Sequence, residues 1–146
     1  MMTEHNESLV LVKDLYAAFA RGNAEAALAL LHEAVTWEII GPEEIPYFGR
    51  YCGRVEVRQF FSMLLATQEF EHFGPEEFIV DGCKVVALGS ERGITRATGH
   101  HFETRWAHYF ECREQSIVAF REYIDCAPLI RALTGDNAPA SPKISE

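Results

Sequence analysis

The sequence predicts an α+β fold, and three observations carry that prediction. Apolar residues recur at helical spacing through the first half, period-two alternation with hairpin signals fills the second half, and neither a repeat nor a second domain interrupts them. Helices followed by a strand meander give a sheet that curls around the helices and leaves a hollow between the two layers. The 146 residues suit one domain able to bury a real core. Residues 1–134 are assigned to it. The Pro/Ser-rich end, residues 135–146, is expected to be a disordered tail.

The elements follow in order. Leu9, Val12, Tyr16 and Phe19 mark a first helix that Gly22 stops. Asn23 caps a second, expected to run through "AEAALALLHEA" with Ala27, Leu28 and Leu31 on its apolar side. "VTWEII", residues 35–40, reads as a short strand that puts Trp37 and Ile39 on one face and Glu38 on the other. The loop "GPEEIPYFGRYCG" follows, with Tyr47 and Phe48 placed to cap the mouth of the hollow. Val57, Phe60, Phe61 and Leu64 mark a third helix. "EEFIVDG" and "CKVVALGSERGITRATG" are strands separated by the turn signal Asp81-Gly82. "HFETRWAHYFEC" and "SIVAFREYI" are strands joined near "REQS", and "APLIRAL" is a last short helix before Gly135.

Composition excludes several function classes. A net charge of −9 opposes binding to nucleic acid and disfavours an anionic membrane surface. No apolar run approaches the ~18 residues of a spanning helix, and the polar start "MMTEHNE" lacks the pattern of an export signal, so a cytoplasmic protein is expected. Cys52, Cys83, Cys112 and Cys126 contain no C-x-x-C pair, which argues against a zinc site and for small core residues. His100 and His101 are neighbours on a strand and point opposite ways, so no metal site is expected.

Strand parity picks the candidate site. In the last strand Val118, Phe120, Glu122 and Ile124 share a face that is apolar apart from Glu122, so Glu122 should point inward. Asp125 falls on the other face, just before a helix, and suits an N-cap. In the preceding strand Phe102, Thr104, Trp106, His108, Phe110 and Cys112 share the inner face. A three-residue loop, Glu114 to Ser116, pairs Arg113 with Ile117 and sets His108 opposite Glu122. A register shifted by two sets His108 opposite Phe120, with Glu122 one diagonal away. Either way a His–Glu dyad lies inside. It can move protons near neutral pH, or it can simply hold two strands together. On the strand "VVALGSER", Val86, Leu88, Ser90 and Arg92 share a face, which brings Arg92 into the hollow as a possible cation for an oxyanion. Tyr16 can offer its hydroxyl to the pocket or pack in the core.

The order and spacing of "LYAAFARGNAEAALALLHEAVTWEI", "PYFGRYCGRVEVRQFF", "VDGCKVVALGSERG" and "IVAFREYID" resemble the nuclear transport factor 2-like superfamily, in particular its SnoaL-like polyketide cyclase and ketosteroid isomerase-like branch. The resemblance spans about residues 7–134. It implies a cone: a strongly curved, mainly antiparallel sheet wrapped around three helices, with a central apolar pocket. It also implies a homodimer through the outer sheet face, where parity places Arg105, Tyr109 and Tyr123.

The resemblance to ketosteroid isomerases puts their general base on Ile39, their oxyanion-hole tyrosine near Tyr16 and their protonated aspartate on His108. The resemblance to limonene-epoxide hydrolases matches Glu122 and Arg92 to their acid and arginine, but puts Trp37, Ile39 and Ile94 where they carry polar residues. The polyketide cyclases place a general acid/base on the last strand, at Glu122. The expectation is a cofactor-independent cyclase or isomerase acting by proton transfer on a small hydrophobic carbonyl compound. Glu122, His108 and Arg92 would be catalytic, and Tyr16, Trp37, Ile39, Tyr47, Trp106 and Phe120 would contact the ligand. The alternatives are a non-catalytic binder of a small hydrophobic or aromatic carboxylate, and an interaction protein that works through its outer sheet face.

Overall fold

The computed structural model describes residues 4–135. Most of the tail expected to be disordered lies outside them. The elements are α1 (Glu4–Ala20), α2 (Ala24–Ala29), β1 (Leu31–Ile40), β2 (Gly49–Cys52), α3 (Gly53–Thr67), β3 (Gln68–Asp81), β4 (Lys84–Thr95), β5 (His101–Arg113), β6 (Ser116–Ile124) and α4 (Ala127–Thr134). They form an α+β fold with one curved six-stranded sheet in the order β2-β1-β6-β5-β4-β3. The β1–β6 pair is parallel and the other four are antiparallel.

Helix α3 presents Val57, Phe60, Phe61 and Leu64 to the interior, as its periodicity predicts. α1 buries Val12, Leu15 and Ala18, with Tyr16 and Phe19 packed against the core. α2 is shorter than expected. It starts where Asn23 accepts a hydrogen bond from the Ala26 amide and ends at Ala29. The segment assigned to its second half is the start of β1, because Leu31 and Val35 are both fully buried and Leu31 sits beside Ile117 of β6. Pairing with a strand 86 positions away overrides the local helix preference of an alanine- and leucine-rich stretch.

Two glycines set the curvature that closes the cone. A Cβ on Gly93 would lie 2.0 Å from the carbonyl oxygen of Glu69 on β3, and one on Gly89 would lie 2.4 Å from both the Gly74 oxygen and the Trp106 ring. Only glycine lets β3 and the indole come this close to β4.

The β5–β6 hairpin reaches the expected pairing by an unexpected route. The turn has two residues, Glu114 and Gln115, both in the left-handed region at φ 49° and 64°. That backbone matches the twist of tight hairpins. Arg113 therefore pairs with Ser116 and Cys112 with Ile117. A bulge at Val118 then restores Phe110 opposite Phe120 and His108 opposite Glu122. The bulge inverts parity at the start of β6, so Ile117 is fully buried and Val118, expected inside, is only half-buried.

Candidate functional site

The hollow between the sheet and helices α1 and α3 contains an apolar cavity lined by aromatic and aliphatic side chains, with Tyr16, Tyr47, Glu91, His108 and Glu122 as its polar members. Its free volume of about 50 Å³ holds roughly four waters at ~10–15 Å³ each. Beside it lies a wider cavity of about 360 Å³, between the α1–α2 turn and the start of β3. Phe19, Phe61, Phe70 and Phe73 line both spaces and form the wall between them.

A hydrogen-bonded chain crosses the inner cavity. The Tyr16 hydroxyl and His108 Nδ1 are 2.6 Å apart, and His108 Nε2 and Glu122 Oε2 are 2.6 Å apart. Burial, and secondarily the charge of Glu122, push the Tyr16 pKa far upward, so its hydroxyl stays protonated and donates. Nδ1 must then accept, and the ring carries its single proton on Nε2 and donates it to Glu122. Burial lowers the His108 pKa, against the opposing pull of the Glu122 hydrogen bond and charge. The link is therefore a hydrogen bond from a neutral imidazole to a carboxyl group. Both side chains are nearly enclosed, at 4% and 10% exposure. Glu122 makes no other hydrogen bond among the described residues.

The structure sorts the sequence-predicted residues. Trp37, Ile39 and Phe120 line the cavity beside the dyad, with Trp37 stacked on Phe120 at 4.0 Å between ring centroids. Tyr47 is not at the mouth. It is buried, and its hydroxyl donates to Gln68 Oε1 at 2.8 Å. Trp106 is buried but does not line the cavity. It lies flat on His108 at 3.7 Å and 6°, so it backs the imidazole and keeps it in plane.

Arg92 is a correction. Its side chain is 51% exposed, on the outer face, 3.8 Å from Glu71. The inner face of β4 carries Val85, Ala87, Gly89, Glu91, Gly93 and Thr95, all buried. Sequence reasoning turned the face with Val86, Leu88, Ser90 and Arg92 inward. The sharply curved inner face instead needs small residues, because the Trp106 ring and the β3 backbone occupy the space beside it. The same inversion hid Glu91, which is 3% exposed and lines the cavity. The glycines flanking it at period two were the available signal. Gln68, fully buried, offers its Nε2 to Glu91 Oε2 at 3.3 Å. Burial pushes the Glu91 pKa well above the carboxylate range, and the charge of Glu122 pushes it further, while the Gln68 hydrogen bond opposes. Asp125 stays on the surface and accepts from the Ala127 amide at the start of α4.

Among the described residues no cluster of three or more His, Cys, Asp or Glu is arranged to hold a metal ion, and no helix is long and apolar enough to cross a membrane. All four cysteines are free thiols.

Residues 12–120 match the family model of the SnoaL-like domain. The chain belongs to the SnoaL-like domain family. No curated protein sequence matches it. Among solved structures, a nuclear transport factor 2-like protein from Burkholderia xenovorans LB400 is 29% identical over 88% of this chain and 97% of its own, with a TM-score of 0.80. A candidate polyketide cyclase from Xanthomonas campestris pv. campestris is 21% identical over 90% and 99% of the two chains, with a TM-score of 0.73. A candidate isomerase from Bacillus subtilis is 18% identical over 92% and 98%, with a TM-score of 0.79. The last two likenesses establish the fold alone. They also show that proteins of this SnoaL-like shape carry both cyclase and isomerase names.

Proposed function

We propose that the protein is a cofactor-independent enzyme of the cyclase or isomerase type that moves a proton on a small, uncharged, hydrophobic carbonyl compound. The observation that carries the reading is the enclosed Tyr16–His108–Glu122 chain on the wall of an apolar cavity. A carboxylate fixed by one donor, with its remaining lone pairs unused, is a competent base for a C–H next to a carbonyl, and the acid so formed can return the proton elsewhere. His108 positions Glu122 through the Nε2–H bond. Tyr16 holds the imidazole in the tautomer that makes this possible. The names carried by the distant cyclase and isomerase neighbours agree with this chemistry.

The inner cavity admits only the reacting end of a substrate, and the wider cavity beyond the phenylalanine wall, lined by Glu69, Glu71, His72 and Arg96 as well as by apolar side chains, offers room for its body. Together they fall within the ~300–1,000 Å³ of ordinary ligand sites. The lining of the inner cavity includes no lysine or arginine, and Arg92 is outside. A carboxylate ligand would find no counter-charge in the inner cavity, whereas Arg96 lines the wider one, so a non-catalytic binder of a hydrophobic or aromatic carboxylate is the second reading.

Cyclopentanone in D2O, followed by proton NMR, tests the reading. The wild type should accelerate exchange of the protons next to the carbonyl, and Glu122→Gln should remove ~10²–10⁴-fold of that acceleration with unchanged circular dichroism. Equal rates in the two proteins, or no acceleration by the wild type, would sink it. Homodimerisation through the outer sheet face belongs to the same proposal. Its basis is the family resemblance and an exposed face on which Arg121 lies 4.4 Å over the Tyr109 ring and Tyr123 is 45% exposed. Sedimentation as a monomer at micromolar concentration would remove it.

A further inference from the structure

The proton-transfer scheme leaves one buried carboxyl of the cavity without a task. Glu91 lines the same space as Glu122, and its only hydrogen bond among the described residues is the 3.3 Å contact from Gln68 Nε2. Tyr47 donates to Gln68 Oε1 and so turns the amide nitrogen toward Glu91. The groups facing Glu91 are thus an amide, a protonated phenol and, across the cavity, Glu122. No cation lines the cavity.

A buried carboxylate with one long hydrogen bond and no counter-ion is strongly disfavoured, the more so when a second carboxyl shares the space. A neutral acid has the opposite requirement. It accepts from Gln68 on Oε2 and carries an O–H that needs an acceptor. None of the described side chains supplies one. That O–H faces a cavity with room for a few waters, and a ligand that brings an acceptor to the same place takes over a water's hydrogen bond there.

We propose that Glu91 is a second substrate-contacting residue, a neutral carboxylic acid that donates a hydrogen bond to the oxygen of an uncharged carbonyl compound. This rests on the proton-transfer reading above and adds the orienting group. The carbonyl oxygen is held on the β4 side by Glu91, and the acidic C–H is turned toward Glu122 on β6. As charge builds on that oxygen, the Glu91 hydrogen bond strengthens. The two carboxyls divide the work: one takes the proton and the other keeps its own.

The test compares cyclopentanone, cyclopentanecarboxylate and cyclopentylammonium by saturation-transfer NMR on the full chain at neutral pH. The ketone should bind more tightly than the carboxylate. Glu91→Leu should weaken ketone binding about tenfold, the loss of one buried hydrogen bond. Glu91→Gln, which keeps a donor, should stay within about threefold of the wild type. Glu91→Met replaces the leucine variant if that does not fold. The proposal is overturned if the ketone does not bind at millimolar concentration, if its affinity ignores Glu91→Leu, or if the carboxylate binds best. It is also overturned if the ammonium probe binds best and is lost in Glu91→Gln, which would make Glu91 the anion of a cation site. Deuterium exchange that requires Glu122 alongside ketone affinity that ignores Glu91 removes this proposal alone. Ketone affinity that requires Glu91 without any exchange removes the proton-transfer reading alone.

Discussion

Replacing Glu91 with Gln should change how stability depends on pH, with a sign and slope that follow from the structure. In the folded chain, burial and the nearby Glu122 hold the Glu91 pKa well above the ordinary range. In the unfolded chain the same carboxyl titrates near ~4.3. Between those two values the folded state keeps a proton that the unfolded state has lost. Stability therefore falls as pH rises through that window, by about 1.4 kcal/mol per pH unit for one proton. Glutamine has no proton to lose and is flat.

His108 contributes with the opposite sign. Its folded pKa is lowered, so below ~6.5 the unfolded state binds the extra proton. Its contribution grows with pH up to that value and then levels. Both proteins share this His108 contribution, so subtracting the variant's stability from the wild type's isolates Glu91. Urea unfolding followed by the fluorescence of buried Trp37 and Trp106 at three values from pH 5.5 to 7.5 measures the difference. The wild type should lose stability relative to Glu91→Gln as the pH rises across that range, by no more than the one-proton slope. At ~1–3 kcal/mol per molar urea, that full slope is a midpoint shift on the order of 0.5–1 M per pH unit. Parallel pH profiles would mean that Glu91 ionises alike in both states, and the argument for a neutral acid would fail with them.

Two further outcomes follow from the same geometry. Tyr16→Phe removes the hydroxyl that donates to His108 Nδ1 and leaves a buried acceptor unmatched, so urea unfolding should show a loss of about 1–3 kcal/mol. A loss below the error of that measurement would place the hydroxyl outside the chain. Arg92→Ala breaks only a half-exposed pair with Glu71 and should cost under about 1 kcal/mol with no effect on ketone exchange. A large drop in exchange would return Arg92 to the site.

Much of the site was legible because strand alternation is a local property. Residues two apart share a face, and Glu122 stood as the polar member of one inward-facing set while His108 stood as the imidazole in another, largely apolar one. The hairpin between them is short, so few registers were open, and the observed one sets them opposite each other. The route was not legible. A two-residue turn plus a bulge gives the same pairing beyond Val118 as the expected three-residue turn without one, and the sequence does not separate these. On β4 the alternation was read correctly, but the wrong set was turned inward. Parity divides a strand into two faces without saying which is concave. The bend at Gly89 and Gly93 decides that, and it depends on where Trp106 and the β3 backbone lie.

The amino-acid order alone determined the α+β class, the number and type of most elements, the SnoaL-like resemblance, and the inward set holding His108 and Glu122. These rest on periodicity over a few residues and on short connections. The tertiary structure alone decided that Leu31 starts a strand, that Arg92 faces out and Glu91 in, and that Tyr16 reaches His108 across 92 positions of chain. These depend on which surfaces meet when the sheet bends over α1 and α3, and no local pattern encodes the energy of that contact.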